Sequence, residues 1–141
     1  MNRKKVFVSG CFDLLHSGHV AFLENANQFG DVYVCIGSDN TIKKLKGRYP
    51  VISQEERKYI IESIKFVKEC RINKGEGMID FMEELLDISP DIFIINEDGH
   101  TSQKLELCNN IGVEYKIFKR IPSVGLPKRT TTDLRLKTTI P

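Results

Sequence analysis

The stretch Ser9-Gly10-Cys11-Phe12-Asp13-Leu14-Leu15-His16-Ser17-Gly18-His19 decides the fold that the sequence predicts. It follows a short apolar run at residues 6–8, typical of a buried strand, and precedes residues 20–26, which are typical of a helix. A turn from strand to helix lies at the carboxyl edge of an open parallel sheet, where ligands bind. The free N–H groups and positive dipole end of a helix start also suit phosphate. One helical turn separates His16 from His19 and places both on the same side.

Size and composition limit the classes of protein to consider. With 141 residues, we expect one domain spanning residues 1–141 and a sizeable core. A hydrophobic content of 40% and a net charge of +2 are ordinary for a soluble protein and give no general reason to expect nucleic acid or membrane as a partner. No stretch approaches the roughly 20 apolar residues of a membrane span, and no signal peptide is recognised. We therefore expect a cytoplasmic location.

The four cysteines, Cys11, Cys35, Cys70 and Cys108, are widely and irregularly spaced. They form no C-x-x-C pair, so a zinc site is not expected. Cys35 and Cys70 lie within apolar runs and are predicted to be core thiols. Disulfides are not expected in a chain without a secretory signal.

Strands and helices alternate along the chain. The pattern predicts strands over residues 5–9, 31–37, 67–72, 91–96 and 113–118, and helices over residues 17–30, 54–66, 78–88 and 101–110, with a further helix opening near residue 130. Residues 38–40 are predicted to be a turn, and the cationic residues after them a loop that Pro50 keeps from being helical. Such alternation predicts an α/β fold with a mainly parallel five-stranded sheet.

Residues 9–19 resemble the signature G-x-F-D-x-x-H-x-G-H of the cytidylyltransferase-like family of nucleotidyltransferases. Every fixed position is matched, by Gly10, Phe12, Asp13, His16, Gly18 and His19. By pattern the chain is similar to the glycerol-3-phosphate cytidylyltransferases and to the nucleotidyl-transferring domain of bifunctional heptose enzymes. The resemblance implies a Rossmann-like three-layer fold of the HxGH type, Mg²⁺ as cofactor and a homodimer.

The resemblance also implies a reaction, in which a nucleoside monophosphate, with CMP from CTP favoured, passes to a small phosphorylated alcohol or sugar and pyrophosphate leaves. Catalysis of this kind is mostly positioning and charge stabilisation. His16 and His19 match the histidines that stabilise the phosphates, and Lys46 matches a lysine that contacts phosphate. Gly10 and Gly18 let the backbone approach phosphate without a Cβ in the way. Taken alone, the histidine pair also fits zinc binding or a structural turn.

Other positions in and near the signature carry two interpretations each. The backbone of Cys11 is expected near the nucleotide, and Phe12 packs, binds the nucleotide or does both. Asp13 either caps the turn or faces the acceptor and metal. Asn96 ends the fourth predicted strand, where relatives place residues close to the base and ribose, and His100 is expected to be an exposed loop residue.

The cationic segment at residues 43–48 follows the second strand and so lies on the same sheet edge as His16. Lys44 is a candidate for binding the acceptor's own phosphate, although most charge runs are simply solvated. Arg57 matches the arginine of the family's E-x-R pattern and is a candidate for nucleotide binding. Its alternative is a salt bridge on the helix surface with a neighbouring glutamate.

The run Thr130, Thr131 and Thr132 resembles the end of the family's C-terminal signature R-x-x-x-[IV]-S-T-T, which opens a helix over the triphosphate. Threonine keeps the hydroxyl beside the free N–H groups of a helix start. Gly125 stands where the arginine of this signature is expected, and Arg129 is a candidate to replace it. The alternative is a capped terminal helix without ligand contact.

Two further functions stay open. One is an adenylyltransferase that uses ATP and a sugar phosphate, because the family motifs bind the shared triphosphate and do not read the base. The other is a nucleotide-binding regulatory domain without catalysis, against which the retained histidines and lysine argue. In the favoured hypothesis the ligands are a nucleoside triphosphate, CTP or ATP, and a small phosphorylated acceptor, and no side chain is assigned as a metal ligand.

Overall fold

A computed structural model describes residues 3–139 of the chain, and the side chains of residues 3–137. Five parallel strands form one sheet, namely β1 (Lys5–Gly10), β2 (Asp31–Ile36), β3 (Val67–Ile72), β4 (Ile92–Asn96) and β5 (Glu114–Phe118). The strand order is β3-β2-β1-β4-β5. The helices are α1 (Ser17–Asn27), α2 (Asp39–Lys46), α3 (Gln54–Glu62), α4 (Met82–Ile88), α5 (Ser102–Ile111) and α6 (Thr131–Thr139), with a 3₁₀ turn at Glu97–Gly99.

The sheet is covered on both faces, as its apolar strands require. On one face, Val6 and Val8 of β1 pack with Leu23 of α1 and Ile61 of α3. On the other face, Phe7 of β1 packs in a cluster with residues of α4 and α5, including Leu85 and Cys108. Successive side chains of a strand point to opposite faces, so one strand contributes to both clusters. The predicted α/β fold with three layers and a parallel five-stranded sheet is confirmed.

The strand order reverses beside β1, which pairs with β2 on one side and β4 on the other. The chain moves outward from β1 to β2 and β3, and then crosses to β4 and β5. The carboxyl ends of parallel strands leave a crevice at such a point, and ligands bind there in open α/β sheets. The turn that carries the histidines begins at the carboxyl end of β1 and therefore opens into this crevice.

The prediction of a turn and loop after β2 was wrong, because the cationic segment begins in helix α2. Ser38 is the N-cap, and its hydroxyl accepts a hydrogen bond from the Thr41 N–H at 3.2 Å. Gly47 ends the helix with φ 77°, a left-handed conformation that glycine adopts without steric cost. Lysines in the last turn are also favourable beside the negative end of the helix dipole. Pro50 lies beyond the helix rather than inside it.

The cysteines of the core are thiols, as expected. Cys35 and Cys70 are buried within β2 and β3, and neither they nor the other two cysteines form a disulfide in the described part of the chain. Burial is the main cause that raises the pKa of Cys70 to about 12. Between residues 3 and 139, no helix combines the length and the apolar character that crossing a membrane requires.

Candidate active site

Two histidines build the start of α1. His16 is the N-cap, and its Nδ1 accepts a hydrogen bond from the Gly18 N–H at 3.0 Å. In return, Nδ1 of His19 accepts one from the His16 N–H at 3.1 Å. This reciprocal pair is a capping box in which imidazoles replace the usual hydroxyl and carboxylate. The ring centroids of the two histidines lie 3.9 Å apart, so both rings sit side by side at the helix start.

The hydrogen bonds of the two rings fix where their protons lie. Because each Nδ1 accepts a bond from a backbone N–H, a neutral ring must carry its proton on Nε2. Burial, then the positive charges of His16 and Arg120, lower the pKa of His19 to about 3. Burial, then Arg120 and Arg129, also lower the pKa of His16. At neutral pH both histidines are therefore uncharged Nε2–H donors.

The Nε2 atom of His16 is buried and has no hydrogen-bond partner among the described residues. A buried donor without a partner costs free energy of roughly 1–3 kcal/mol. Buried polar groups of folded proteins are nearly always hydrogen-bonded, and a ligand atom that accepts a bond from this donor would account for it.

The turn before α1 is held in an unusual backbone conformation. Phe12 and Leu14 have φ values of 53° and 48°, a region that residues with large side chains rarely adopt. Such conformations cost of order 1–3 kcal/mol each and cluster at functional sites. A Cβ on Gly10 would lie 2.9 Å from the Phe12 ring, and one on Gly18 would lie 2.9 Å from Nδ1 of His16. Because neither glycine has a Cβ, the Phe12 ring fits against Gly10 and the His16 ring fits against Gly18.

A cleft of about 820 Å³ opens at the carboxyl edge of the sheet. Its volume is typical of a small-molecule site. Many of the predicted site residues line it, namely Gly10, Cys11, Phe12, Asp13, His19, Lys46, Asn96, Thr130, Thr131 and Thr132. Others lie outside its lining, namely His16, Gly18, Lys44, Arg57 and Arg129.

The carboxylate of Asp13 links the turn after β1 to more distant parts of the chain. Its side chain is 1% exposed, and its carboxylate accepts hydrogen bonds from the N–H groups of Leu14, Val51 and Ile52 at 2.8–3.1 Å. Arg135 of α6 forms an ion pair with the same carboxylate at 3.1 Å. With both oxygens engaged, the geometry supports the capping interpretation of Asp13 and gives no support to a contact with acceptor or metal.

Arg57 is also a structural residue here. Its side chain is 1% exposed, and its guanidinium donates to the carbonyls of Ile52, Cys11 and Gly37 at 2.8–3.0 Å. A further bond of 2.8 Å joins it to the Asp39 carboxylate. The alternative of a surface salt bridge with a neighbouring glutamate was wrong, because Arg57 points into the protein. Its bond to Cys11 fixes the backbone that borders the cleft.

Lys44 and Lys46, the two candidate lysines of α2, have different surroundings. Lys46 lines the cleft, whereas Lys44 forms an exposed ion pair with Glu76 at 2.9 Å. Exposed pairs of this kind contribute little to stability. The predicted contact of Lys44 with the acceptor's phosphate has no support in this arrangement, because Lys44 is outside the lining of the cleft.

The threonine run both caps α6 and borders the cleft. The hydroxyl of Thr130 accepts a hydrogen bond from the Asp133 N–H at 3.1 Å. The hydroxyl of Thr131 donates to the backbone carbonyl of Asp13 at 3.0 Å and so ties α6 to the turn after β1. Thr130, Thr131 and Thr132 thereby line the same cleft as His19, at a helix start whose first N–H groups have no partner within the helix.

Arg120 is a site residue that the sequence analysis missed. It lines the cleft, forms an ion pair with Asp98, and donates to the backbone carbonyl of Arg129 at 3.3 Å. Counting the family spacing backwards from the threonines led to Gly125, which lies in an exposed loop. Arg120 follows β5 by two residues, so its place at the end of a strand was the available signal.

Other polar residues of the cleft were missed, among them Asn73, Asp80 and Lys104. Two predictions near β4 had different outcomes. The Asn96 side chain lines the cleft and also caps the 3₁₀ turn, accepting a bond from the Gly99 N–H at 3.0 Å. His100 is half-buried rather than exposed, and its Nδ1 lies 2.9 Å from the Tyr115 hydroxyl.

Comparisons with known proteins identify the family of the chain. Residues 7–136 match the sequence model of the family described as Cytidylyltransferase-like. The FAD synthase of Methanobrevibacter smithii is 38% identical over 120 residues, which are 81% of this chain and 76% of that protein. The Bifunctional protein HldE of Helicobacter pylori is 37% identical over 98 residues, which are 68% of this chain but 20% of HldE.

A solved structure confirms the fold. The lipopolysaccharide core biosynthesis protein from Thermoplasma volcanium superposes with a TM-score of 0.69 at 24% identity, over 84% of this chain and 97% of its own. At that identity the likeness speaks for the fold alone. The family match over residues 7–136 and the FAD synthase relative confirm the resemblance carried by residues 9–19. This chain is a nucleotidyltransferase of the cytidylyltransferase-like family.

Proposed function

We propose that this enzyme transfers a nucleoside monophosphate from a nucleoside triphosphate to a small phosphorylated alcohol or sugar. An oxygen of the acceptor's phosphate attacks the α-phosphorus, the bond from the α-phosphorus to the bridging oxygen breaks, and pyrophosphate leaves. The single observation that carries the proposal is the capping box at the start of α1, which occupies Nδ1 of both histidines and leaves Nε2 as the donor, with His19 in the lining of the cleft. No protein nucleophile is needed.

The roles follow from where each group lies. We assign His19, which lines the cleft, and His16, whose buried Nε2 lacks a protein partner, as donors to the phosphate oxygens. Donors that are already oriented need no reorganisation as charge develops in the transition state. Arg120 and Lys46 supply positive charge, and the N-terminus of α6 suits the triphosphate.

Magnesium enters this proposal bound to the nucleotide. The described residues contain no group of three or more His, Cys, Asp or Glu side chains that could hold a metal ion. The carboxylate of Asp13 is fully engaged, and that of Asp98 is paired with Arg120. Mg²⁺ generally keeps several waters and binds through substrate phosphates. We therefore treat the magnesium complex of the triphosphate as the substrate.

Two nucleoside triphosphates, CTP and ATP, remain candidates for the substrate. CTP is the nucleotide that the sequence pattern favours. The name of the M. smithii relative, FAD synthase, supports the second candidate, because FAD contains an adenylyl group. The cleft residues near Asn96 and Gly99 are those we expect to distinguish cytosine from adenine.

The test is release of pyrophosphate by the purified protein with magnesium and either CTP or ATP. Acceptors would be glycerol 3-phosphate, sugar 1-phosphates, and FMN. We expect release that depends on both the nucleotide and one class of acceptor, and that is lost in a His19→Gln variant. Nucleotide binding without release for any pair would support the regulatory interpretation and overturn the proposal.

Homodimerisation also belongs to the proposal, since it is implied by family resemblance. Light scattering of the purified chain gives its mass in solution. We expect twice the 16.1 kDa of one chain. A mass of one chain at micromolar concentration would contradict this expectation and leave the chemistry of the cleft unaffected.

A further inference from the structure

The 3₁₀ turn after β4 is fixed at Gly99 through both of that residue's peptide groups. The Gly99 N–H donates a hydrogen bond to Oδ1 of Asn96 at 3.0 Å, and the Gly99 carbonyl accepts one from Nζ of Lys104 at 2.8 Å. A Cβ on Gly99 would lie 3.0 Å from Cγ1 of Ile95, so the turn packs closely on the end of β4. All four residues line the cleft. The Lys104 amine therefore helps to determine where this wall of the cleft stands.

Lys104 reaches the Gly99 carbonyl from a fixed position in the first turn of α5. Its own N–H donates to the hydroxyl of the N-cap residue Thr101 at 3.2 Å, which holds the backbone from which the side chain extends. The side chain is half-buried. Burial lowers the pKa of the Lys104 amine, whereas the negative charge of Asp80 raises it. A hydrogen bond from an ammonium group is roughly twice as strong as one between neutral groups, so the bond to Gly99 is a strong constraint on the turn.

The same amine interacts with the other side of the cleft through the charge of Asp80. Asp80 precedes α4, and its carboxylate is hydrogen-bonded to the side chain of Asn73, which follows β3. A Cβ on Gly37, at the end of β2, would lie 3.5 Å from Oδ2 of Asp80. Lys104 is thus bonded to a group after β4 and attracted to a group held at the ends of β2 and β3. Removing the amine takes a donor from the Gly99 carbonyl and a positive charge from Asp80.

We propose that Lys104 is a positioning residue that sets the choice of base, because it holds the 3₁₀ turn in the place from which the base is read. This inference rests on the proposed function, in which the base lies near Asn96 and Gly99. The donors at the start of α1 serve the phosphates, which every nucleoside triphosphate carries. Discrimination between bases requires hydrogen-bonding groups in fixed places, since a mismatched base is rejected when it leaves such groups unpaired.

The experiment measures the Kd of the full chain for the magnesium complexes of CTP, ATP, GTP and UTP by calorimetry. The variant is Lys104→Met, whose side chain has a similar length but neither charge nor donor. We expect the wild type to bind one nucleotide at least about tenfold more tightly than the others, and the variant to lose most of a tenfold preference, the size of losing one charged hydrogen bond. Lys104→Arg, which retains a charged donor, should restore part of the preference.

Two further readouts separate positioning from stability. A smaller folded fraction weakens the apparent binding of all four nucleotides by the same factor, so the ratio of their Kd values reports the position of the turn alone. Exchange of the Gly99 N–H with solvent should become faster in Lys104→Met, because the turn has lost the bond at its carbonyl. With the preferred nucleotide at saturation, kcat should stay within about twofold of the wild type, since Lys104 acts on binding rather than on the reacting phosphorus.

The matched control is Lys74→Met. It removes an exposed amine that pairs with Glu83 of α4 at 3.5 Å, next in the chain to Asn73. This change takes the same charge from the same region without touching the 3₁₀ turn. All four Kd values should therefore stay as in the wild type.

Three results would overturn the inference and leave the proposed function intact: equal binding of all four nucleotides by the wild type, an unchanged preference in Lys104→Met, or a fall in kcat in place of the loss of preference. Absence of pyrophosphate release with every acceptor would overturn the proposed function instead. Because the Kd values need no turnover, their ratio still decides the role of Lys104, and the two failures are distinguishable.

Discussion

The Nδ1 atom of His19 accepts a hydrogen bond from the backbone N–H of His16 at 3.1 Å, while Nδ1 of His16 accepts one from Gly18 at 3.0 Å. Each imidazole therefore separates two tasks between its two nitrogens. Nδ1 stabilises the start of α1, and Nε2–H is the donor proposed for the phosphates. Substitutions that keep the hydrogen bond made by Nδ1 but remove the Nε2–H donor can test the two roles separately.

The first prediction concerns His16 as an N-cap. His16→Ala should lose roughly 1 kcal/mol of stability, the usual cost of removing a cap, and at least about 100-fold in kcat, the cost of one oriented donor. His16→Asn should regain the stability, because asparagine is a strong N-cap, but not the turnover. Denaturant unfolding and pyrophosphate release measure the two effects. Recovery of turnover in His16→Asn would contradict the donor role of Nε2.

The second prediction is that acid destabilises the protein through His19. Its pKa is about 3 in the folded chain and 6.5 in the unfolded one. Below pH 6.5 the unfolded state binds more protons, so stability falls as the pH drops from 7 toward 3, by about 2 kcal/mol at pH 5. His19→Gln retains the N3 side-chain bond of the capping box and removes the titration. Its loss of stability between pH 7 and pH 5 should be smaller than that of the wild type, and an equal loss would contradict the assignment.

The third prediction separates two arginines. Arg120 lines the cleft, whereas Arg129 lies outside its lining and contributes its backbone carbonyl to Arg120. Arg120→Ala should lower kcat/KM for the nucleotide by at least about tenfold, since it removes a charge at the phosphates. It should also raise the pKa of His16, because its charge disfavours the imidazolium. Arg129→Ala is the matched control, and a larger loss of kcat/KM there would reverse the assignment.

The fourth prediction is that Arg57 acts through stability. Removing a buried charged partner typically costs roughly 3–5 kcal/mol, so Arg57→Ala should be strongly destabilised. Lys58→Ala, the next residue, whose amine pairs with Glu62 on the surface, should change stability by less than about 1 kcal/mol. Thermal unfolding compares the two variants. An Arg57→Ala protein of normal stability that had lost nucleotide binding would show instead that Arg57 contacts the ligand.

Local patterns in the sequence were enough to predict the sheet and the histidine turn. Apolar runs predicted β1 to β5, and the signature at residues 10–19 predicted where His16 and His19 would meet. The threonine run also predicted a capped helix, since cap chemistry depends on neighbours in the chain. The error at α2 came from reading Ser38 as a turn residue, although serine with Gly47 after the lysines is also a pair of helix ends.

The rest of the site depends on contacts between distant residues. Arg57 meets the carbonyl of Cys11 across 46 positions, and Arg135 meets Asp13 across 122. No local sequence pattern shows that these charged side chains find their hydrogen-bond partners inside the protein. Asn73 and Lys104 come together only because β3 ends and α5 begins at the same edge of the sheet. Arg120 reaches the cleft from the end of β5, which the spacing of the residues before α6 does not show.

The most direct test of the central claim follows the label of α-³²P nucleotide with glycerol 3-phosphate or a sugar 1-phosphate as acceptor. If the cleft performs nucleotidyl transfer, the label moves to the acceptor with one pyrophosphate released for each product formed, and His19→Gln slows this at least about 100-fold. Label that stays in a nucleoside diphosphate while the γ-phosphate moves to the acceptor would contradict the account, because the attack would then be at the wrong phosphorus.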